Sequence, residues 1–305
     1  MSERSTGWFR PENNFLIDTI PFISVVRKPY DSDVTDEQWE ILNPLLDRKH
    51  MPGAGRPRRV DLRAAVNALF YLNKTGCHWR SLPHDFPFWP VVYYYFRKWR
   101  KNGAWKNVND TLREHCRQSA GREPEPSAAC IDSQSIKGTS ESGGQESGYD
   151  GGKKLKGRKR HIAVDTMGYL LVARVHAANE ADTAKAPAVV TLLVALCSTL
   201  KVLFADAGYK APFVRWAKET FDLAVEVVQR AGPGFQVVRK RWVVERTFAW
   251  ITRQRRMSRD YERTTESSAA MIHISMIRIM LKQLSPVPNP WRKNEVWSPL
   301  LNYAT

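Results

Sequence analysis

From Ala129 to Leu284 the hydrophobic pattern switches repeatedly between the two-residue period of strands and the 3.6-residue period of helices, and this alternation limits the fold more than any other feature. Ala129–Ser133, His161–Asp165 and Tyr169–His176 read as strands, the last two forming a hairpin around Thr166, Met167 and Gly168. A helix over Thr183–Ser198 is continuously apolar inside and is expected to be buried. Then come a strand at Lys201–Asp206, a helix at Ala211–Thr220 and a strand at Ala224–Gln229. The turn at Gly232, Pro233 and Gly234 leads through Phe235–Val238 into a helix at Arg239–Ile251, and a last apolar helix spans Ser267–Leu284. Strands first, then helix and strand in turn, predict an α/β unit with a mixed sheet flanked by helices.

Two of these strands end in an acid, Asp132 and Asp206. A strand fixes the direction of its last carboxylate, and the sheet keeps water from one side of it. The element order is ribonuclease-H-like, and in such a fold these two strands lie side by side with the helix at 239–251 across them. Val244, Phe248 and Ile251 make that helix's apolar stripe, with Glu245 at its edge. Glu245 is the only acid between Arg239 and Arg259, a span that holds eight lysines and arginines. Its carboxylate either pairs with Arg241 one turn back or ligates a metal beside a DNA backbone. Three converging carboxylates repel one another unless a cation lies between them, and oxygen-only ligands select Mg2+ or Mn2+ over zinc. Asp165 is expected to serve its turn and Asp182 to cap the helix that follows it. Gly208 is expected to let the chain turn sharply after Asp206.

Residues 1–29 read as a tail without sustained periodicity. Thr35 and Gln38 form a capping box before a helix through Leu46. A second helix runs from Asp61 to Lys74 and is stopped at Gly76. Another begins at Trp89–Pro90, and a fourth buries Trp105, Val108 and Leu112. Residues 30–118 therefore form an all-helical domain, with helix–turn–helix character over 61–101. Residues 119–127, rich in proline and small polar residues, are the linker. The second domain spans 128–284, within which 137–152 is expected to be a loop, and 285–305 form a C-terminal tail.

The net charge of +16 points to a polyanionic partner. No apolar run approaches the ~20 residues that span a bilayer, so nucleic acid is favoured over a membrane. The loop Gly53–Arg59, with Arg56, Arg58 and Arg59, suits phosphates or a solvated linker equally. Tyr93, Tyr94 and Tyr95 precede Arg97, Lys98, Arg100 and Lys101, as in a helix laid along a DNA groove. Lys153–Arg160 holds six basic residues in eight (Lys153, Lys154, Lys156, Arg158, Lys159 and Arg160) and leads into a strand, where it can flank a DNA channel. The four cysteines form no Cys-x-x-Cys pair and fit no zinc-finger spacing, which suits reduced thiols in a cytoplasm.

Asp132-Ser-Gln-Ser, Ala205-Asp206-Ala-Gly208-Tyr209 and Arg241-Trp-Val-Val-Glu245-Arg-Thr-Phe-Ala-Trp250 resemble the three catalytic blocks of bacterial insertion-sequence transposases of the DDE type, insertion sequence five group. The likeness extends to Gly157–His161, Asp260–Glu262, Thr75–Arg80, Leu82–Asp85 and Tyr93–Phe96. It implies that Asp132, Asp206 and Glu245 bind two Mg2+ ions, with Mn2+ as a substitute, and that Arg241 belongs to the helix signature. It also implies a bacterial, nucleoid-associated homodimer on double-stranded DNA that cuts the terminal inverted repeats and joins their 3′-hydroxyl ends to target DNA. Two other readings are a silent or domesticated DNA-binding descendant and a metal-dependent nuclease. Related families carry a tyrosine where this chain has Val238 and a lysine where it has Thr252, so Arg253 or Arg255 stands in for that lysine. Arg80, Arg246 and Arg256 complete the cations expected to contact DNA.

Overall fold

In the computed structural model the described residues are 27–47, 60–140, 142, 146–228 and 239–286, without the side chains of residues 239–241. The capping box at Thr35 forms: Gln38 N donates to Thr35 Oγ1 at 3.2 Å, and Thr35 N donates to Gln38 Oε1 at 3.3 Å. It opens α1 (Asp36–Leu46). Asp61 caps α2 (Leu62–Thr75), which Gly76 ends in the left-handed conformation at φ 71°. Then follow α3 (Trp89–Lys101), with proline in its first turn, and α4 (Ala104–Ser119). These helices bury Leu69, Phe96, Trp99, Trp105 and Leu112 against one another, each such side chain contributing roughly 1.5–3 kcal/mol. The segment between α2 and α3 runs over residues 76–88 and contains a single 3-10 turn at Trp79–Ser81. A helix–turn–helix joins its helices through three or four residues, so this segment does not confirm the motif expected over 61–101.

Among the described residues the strands are β1 (Ala128–Lys137), β2 (Gly148–Asp150), β3 (Leu155–Asp165), β4 (Leu170–Ala177), β5 (Val202–Asp206) and β6 (Ala224–Val228). Their order is β2-β3-β1-β5-β6, with β4 also on β3. β1 pairs antiparallel with β3 and parallel with β5, and β5 pairs parallel with β6. The helices between and after them are α5 (Asp182–Leu196), α6 (Ala211–Phe221), α7 (Arg239–Thr252) and α8 (Thr265–Leu284).

Several expectations are corrected. β1 and β3 are longer than the apolar pattern indicated, because polar residues continue the ladder to Lys137 and Gly157. The expected loop at 137–152 contains β2. Asp182 lies inside the first turn of α5; the N-cap is Ala181, with no side-chain cap bond. α5 is only half buried: Val189, Val190 and Leu193 face inward, while Leu192 is exposed. The turn at Gly232, Pro233 and Gly234, the segment Phe235–Val238 and most of both tails lie outside the described residues.

The two sheet faces have separate cores. Cys130, Ile162, Val164 and Phe204 pack in one apolar cluster with Val244, Phe248 and Ile251 of α7, and that cluster continues through α8 into α1–α4. Ile131, Ala163, Leu203 and Ala205 face the other way, toward α5 and α6. The stretch from 119 to 127 is tied down. Arg117 Nε donates to Glu123 O at 2.8 Å, and Ser198 N donates to Glu125 Oε2 at 3.1 Å.

Candidate active site

The last paired residues of β1 and β5 are Cys130 and Phe204. Asp132 and Asp206 stand two residues further along each strand. The β1–β5 ladder stops short of them, and each is held by its other neighbour: Asp132 lies opposite Ile162 of β3 and Asp206 opposite Val228 of β6. Alternation gives both the face of Cys130 and Phe204, the face that α7 covers. Each aspartate is half-buried and oriented by nearby backbone. Ser133 N donates to Asp132 Oδ1 at 2.7 Å, and Gly208 N donates to Asp206 Oδ1 at 2.9 Å. Gly208 is not in the left-handed region; its role is room, since a Cβ there would lie 2.9 Å from that same carboxylate oxygen.

α7 is clipped to the turn between β3 and β4. Thr247 Oγ1 donates to Gly168 O at 2.8 Å, and Arg246 Nη2 donates to Met167 O at 2.9 Å. Gly168 has φ 89°, and a Cβ on it would press on Thr247 Oγ1 at 2.9 Å. The turn is held in its own right. Asp165, fully buried, accepts from Met167 N and Tyr169 N at 2.9 and 2.8 Å and from Arg117 Nη1 at 2.7 Å. So clipped, α7 buries Val244 and leaves Glu245 exposed beside it. The alternative pair of Glu245 with Arg241 falls outside the described side chains. Among the described residues no three His, Cys, Asp or Glu side chains are grouped closely enough to hold a metal ion. The donor chemistry of Asp132, Asp206 and Glu245 is that of a hard divalent cation, oxygen only, but the three are not gathered into a finished site.

On the opposite sheet face lies a buried polar pair to which the sequence pattern assigns no role. Tyr209 Oη and His161 Nε2 are 2.8 Å apart. Burial raises the phenol's pKa far above its ordinary value, and the charges of Asp132, Asp182 and Asp206 raise it further. The imidazole of His161 is lowered to about 4, first by burial and then by His176. The Tyr209 that follows Asp206 and Gly208 in sequence was the available signal.

The basic residues divide. Arg158 is buried and gives its guanidinium to Asp260 Oδ2 (3.3 Å), Glu262 O (2.8 Å) and Arg263 O (3.0 Å). Arg160, equally buried, donates to Met257 O at 2.7 Å. Arg256 pairs with Glu262 at 2.7 Å. Arg100 staples α3 to α8 through Thr264 Oγ1 and Ser267 Oγ at 3.0 and 2.8 Å. Lys159 reaches Asp182 at 3.2 Å, and Arg246 is spent on the clip and on the rings of Trp250 and Trp242. These six are engaged within the protein, although the buried Arg160 Nε and Arg246 Nε have no hydrogen-bond partner there. Arg80, Tyr94, Arg97, Lys98, Lys101, Lys153, Lys154, Lys156, Arg253 and Arg255 are exposed. Arg56, Arg58 and Arg59 lie outside the described residues.

An antiparallel ribbon feeding a parallel pair, with carboxylates at the pair's end and a helix across it, is the arrangement of ribonuclease-H-like enzymes that act on phosphodiesters. Residues 123–281 match the family described as "Transposase DDE domain", and residues 34–109 match the one described as "Putative transposase of IS4/5 family". The chain belongs to the DDE transposases of the IS4/5 group, a family that acts on DNA and generally uses divalent metal ions. It is similar to the insertion element IS402 uncharacterized 16.2 kDa protein of Burkholderia cepacia, 30% identical over 108 residues, covering 34% of this chain and 72% of that protein. No solved structure matches. Among the described residues no helix is long and apolar enough to cross a membrane.

Proposed function

We propose that the protein is an active transposase that binds the terminal inverted repeats of an insertion sequence, hydrolyses the phosphodiester at each end and joins the freed 3′-hydroxyl to target DNA. The observation that supports this reading is the parallel pairing of β1 with β5, which ends two residues before Asp132 and Asp206 on a sheet packed by α7. Asp132, Asp206 and Glu245 are the residues that would hold two Mg2+ ions, with Mn2+ as substitute. Ions held there would supply Lewis-acid stabilisation of the charge that develops on the phosphodiester. The protein's own part is to fix the two aspartates through the Ser133 and Gly208 amides and to hold α7 over them. In this reading residues 30–118 form the end-binding domain and 128–284 the catalytic one. Exposed Arg97, Lys98 and Lys101 on α3, with Arg253 and Arg255 after α7, neutralise DNA phosphates. Because two ends are handled together, the working form is a homodimer on DNA.

The test is a strand-transfer assay with purified protein, a labelled duplex carrying the flanking inverted repeat, and a target plasmid, with Mg2+ or with chelator. Cleavage and joining require Mg2+ and fall to background in Asp132→Asn, Asp206→Asn and Glu245→Gln, while duplex binding persists. A variant that keeps wild-type cleavage removes its residue from the catalytic set. Cleavage without joining identifies a nuclease, and tight specific binding with neither reaction identifies a DNA-binding descendant.

A further inference from the structure

The turn after β2 is rich in glycine and lysine, a composition that suits a solvated loop. The structure makes it a hairpin with a fixed base and tip. At the base Gly148 pairs with Gly157. A Cβ on the first would overlap the Asn179 side chain, and a Cβ on the second would overlap the Ile136 carbonyl, so both strands sit closer to their neighbours than any side chain allows. At the tip Asp150 Oδ1 accepts from Gly152 N and Lys153 N, both at 3.0 Å, while Ser135 Oγ on β1 donates to Asp150 Oδ2 at 2.5 Å. The one acid of the tip is thus spent on its shape. What projects is cationic and aromatic: Lys153, Lys154 and Lys156 are exposed, and Tyr149, directly across from Lys156, is 59% exposed. Among the described residues no other ring packs on Tyr149.

The hairpin is aimed from the carboxylate end. The β1–β3 ladder passes Asp132, paired with Ile162, and runs on to Lys137 and Gly157, well beyond the last β1–β5 pair. From Ile162 to Lys156 is six residues of strand, roughly 20 Å at ~3.3 Å per residue, or about six base pairs at ~3.4 Å each. An exposed ring flanked by three cations suits a polyanion that also offers apolar surface, which is DNA with its phosphates, deoxyriboses and groove-facing base edges.

Resting on the transposase reading, we propose that the β2–β3 hairpin is a DNA arm whose lysines hold the backbone and whose Tyr149 ring packs against a deoxyribose and base edge in the groove about six base pairs from the phosphodiester at the Asp132–Asp206 end. The full-length protein is mixed, in chelator, with inverted-repeat duplexes carrying 5-iodouracil at successive positions, irradiated, and mapped by peptide mass spectrometry. Crosslinks fall on the peptide holding Tyr149 for probes near that distance. Tyr149→Ala weakens duplex binding about tenfold without changing its salt slope, and Tyr149→Phe restores it. Lys153→Ala/Lys154→Ala instead makes the slope shallower. Wild-type binding with crosslinks elsewhere and none to this peptide overturns the arm alone, as does a Tyr149→Ala variant that binds like wild type. A wild-type protein with no salt-dependent affinity for the duplex removes the transposase reading itself, and the arm with it.

Discussion

Arg158 and Lys154 belong to one basic run in the sequence, and the structure requires them to fail in opposite ways. The Arg158 guanidinium is 1% exposed and bonded to Asp260, Glu262 O and Arg263 O. Truncation to alanine strands Asp260, whose side chain is fully buried, and leaves two carbonyls short of a donor. Removing one partner of a buried pair costs about 3–5 kcal/mol. At ~2–4 °C per kcal/mol for a chain of this size, Arg158→Ala lowers Tm by about 10 °C. Lys154 is exposed and, at φ 53°, already in a turn conformation; its replacement by glycine leaves Tm within about 2 °C. The order reverses in DNA binding. Lys154→Gly makes the slope of log affinity against log salt shallower by about 0.9 for each phosphate that its ammonium neutralises. Arg158→Ala keeps the wild-type slope for the fraction that remains folded. Thermal unfolding followed by tryptophan fluorescence, paired with duplex titrations at several salt concentrations, reads both quantities. An Arg158→Ala protein with wild-type Tm and a shallower salt slope would refute the burial argument and return the whole run to the DNA surface.

Acid lability should track His161. Its pKa is lowered to about 4 in the fold, by burial and then His176, against ~6.5 in the unfolded chain. The unfolded state therefore takes the proton first: stability is full above about pH 6.5, falls as pH drops toward 4, and levels below it, by roughly 3 kcal/mol. His161→Gln should flatten that part of the urea-midpoint profile, and an unchanged fall between pH 6.5 and 4 would disprove it. Asp165→Asn should cost about 3–5 kcal/mol in urea unfolding, because it leaves Arg117 buried beside a neutral amide; a loss below about 1 kcal/mol would show that the pair is not closed off from water.

What the sequence made legible was what local chemistry decides. Thr35 with Gln38, Asp61 with Gly76, and Pro90 mark helix ends because each satisfies or removes a terminal backbone donor, so those boundaries emerge within a residue or so. The aspartates at 132 and 206 were legible because apolar runs closed by an acid stand out, although only Asp206 ends its strand and β1 runs on to Lys137. β2 was not legible: three residues of Gly, Tyr and Asp carry no period, and only pairing with β3 makes them a strand. Nor were the buried arginines. The carbonyls that take up Arg158 and Arg160 come from residues 257–263, a hundred positions away. The local hint was alternation, since 158 and 160 share one face of a strand, but a charged pair on one face reads as solvated until something is known to cover it. The helix–turn–helix expectation is not confirmed, and here the sequence already marked the reason: Gly76 ends one helix and Trp89–Pro90 opens the next, too far apart for a three- or four-residue turn.

The position of Glu245 is the least local quantity in the molecule. Its helix is set by an apolar stripe, which fixes rotation, and by the bonds from Thr247 and Arg246 to the carbonyls of Gly168 and Met167, which fix its placement along the sheet. That turn keeps its shape through Asp165, and Asp165 through Arg117 on α4. A continuous chain of hydrogen bonds therefore runs from the helical region, through one glycine turn, to the helix that presents the third carboxylate. Asn109 on α4 reinforces it by donating to Leu170 O at 2.9 Å, just beyond the same turn. The two aspartates need none of this, because neighbouring strands position them directly. Carboxylates held by a sheet ladder and a carboxylate held through a relay differ in how easily they are displaced, and the relay starts in the part of the chain proposed to grip the DNA ends. In the proposed catalytic set, Glu245 would therefore depend on the helical region as much as on the sheet.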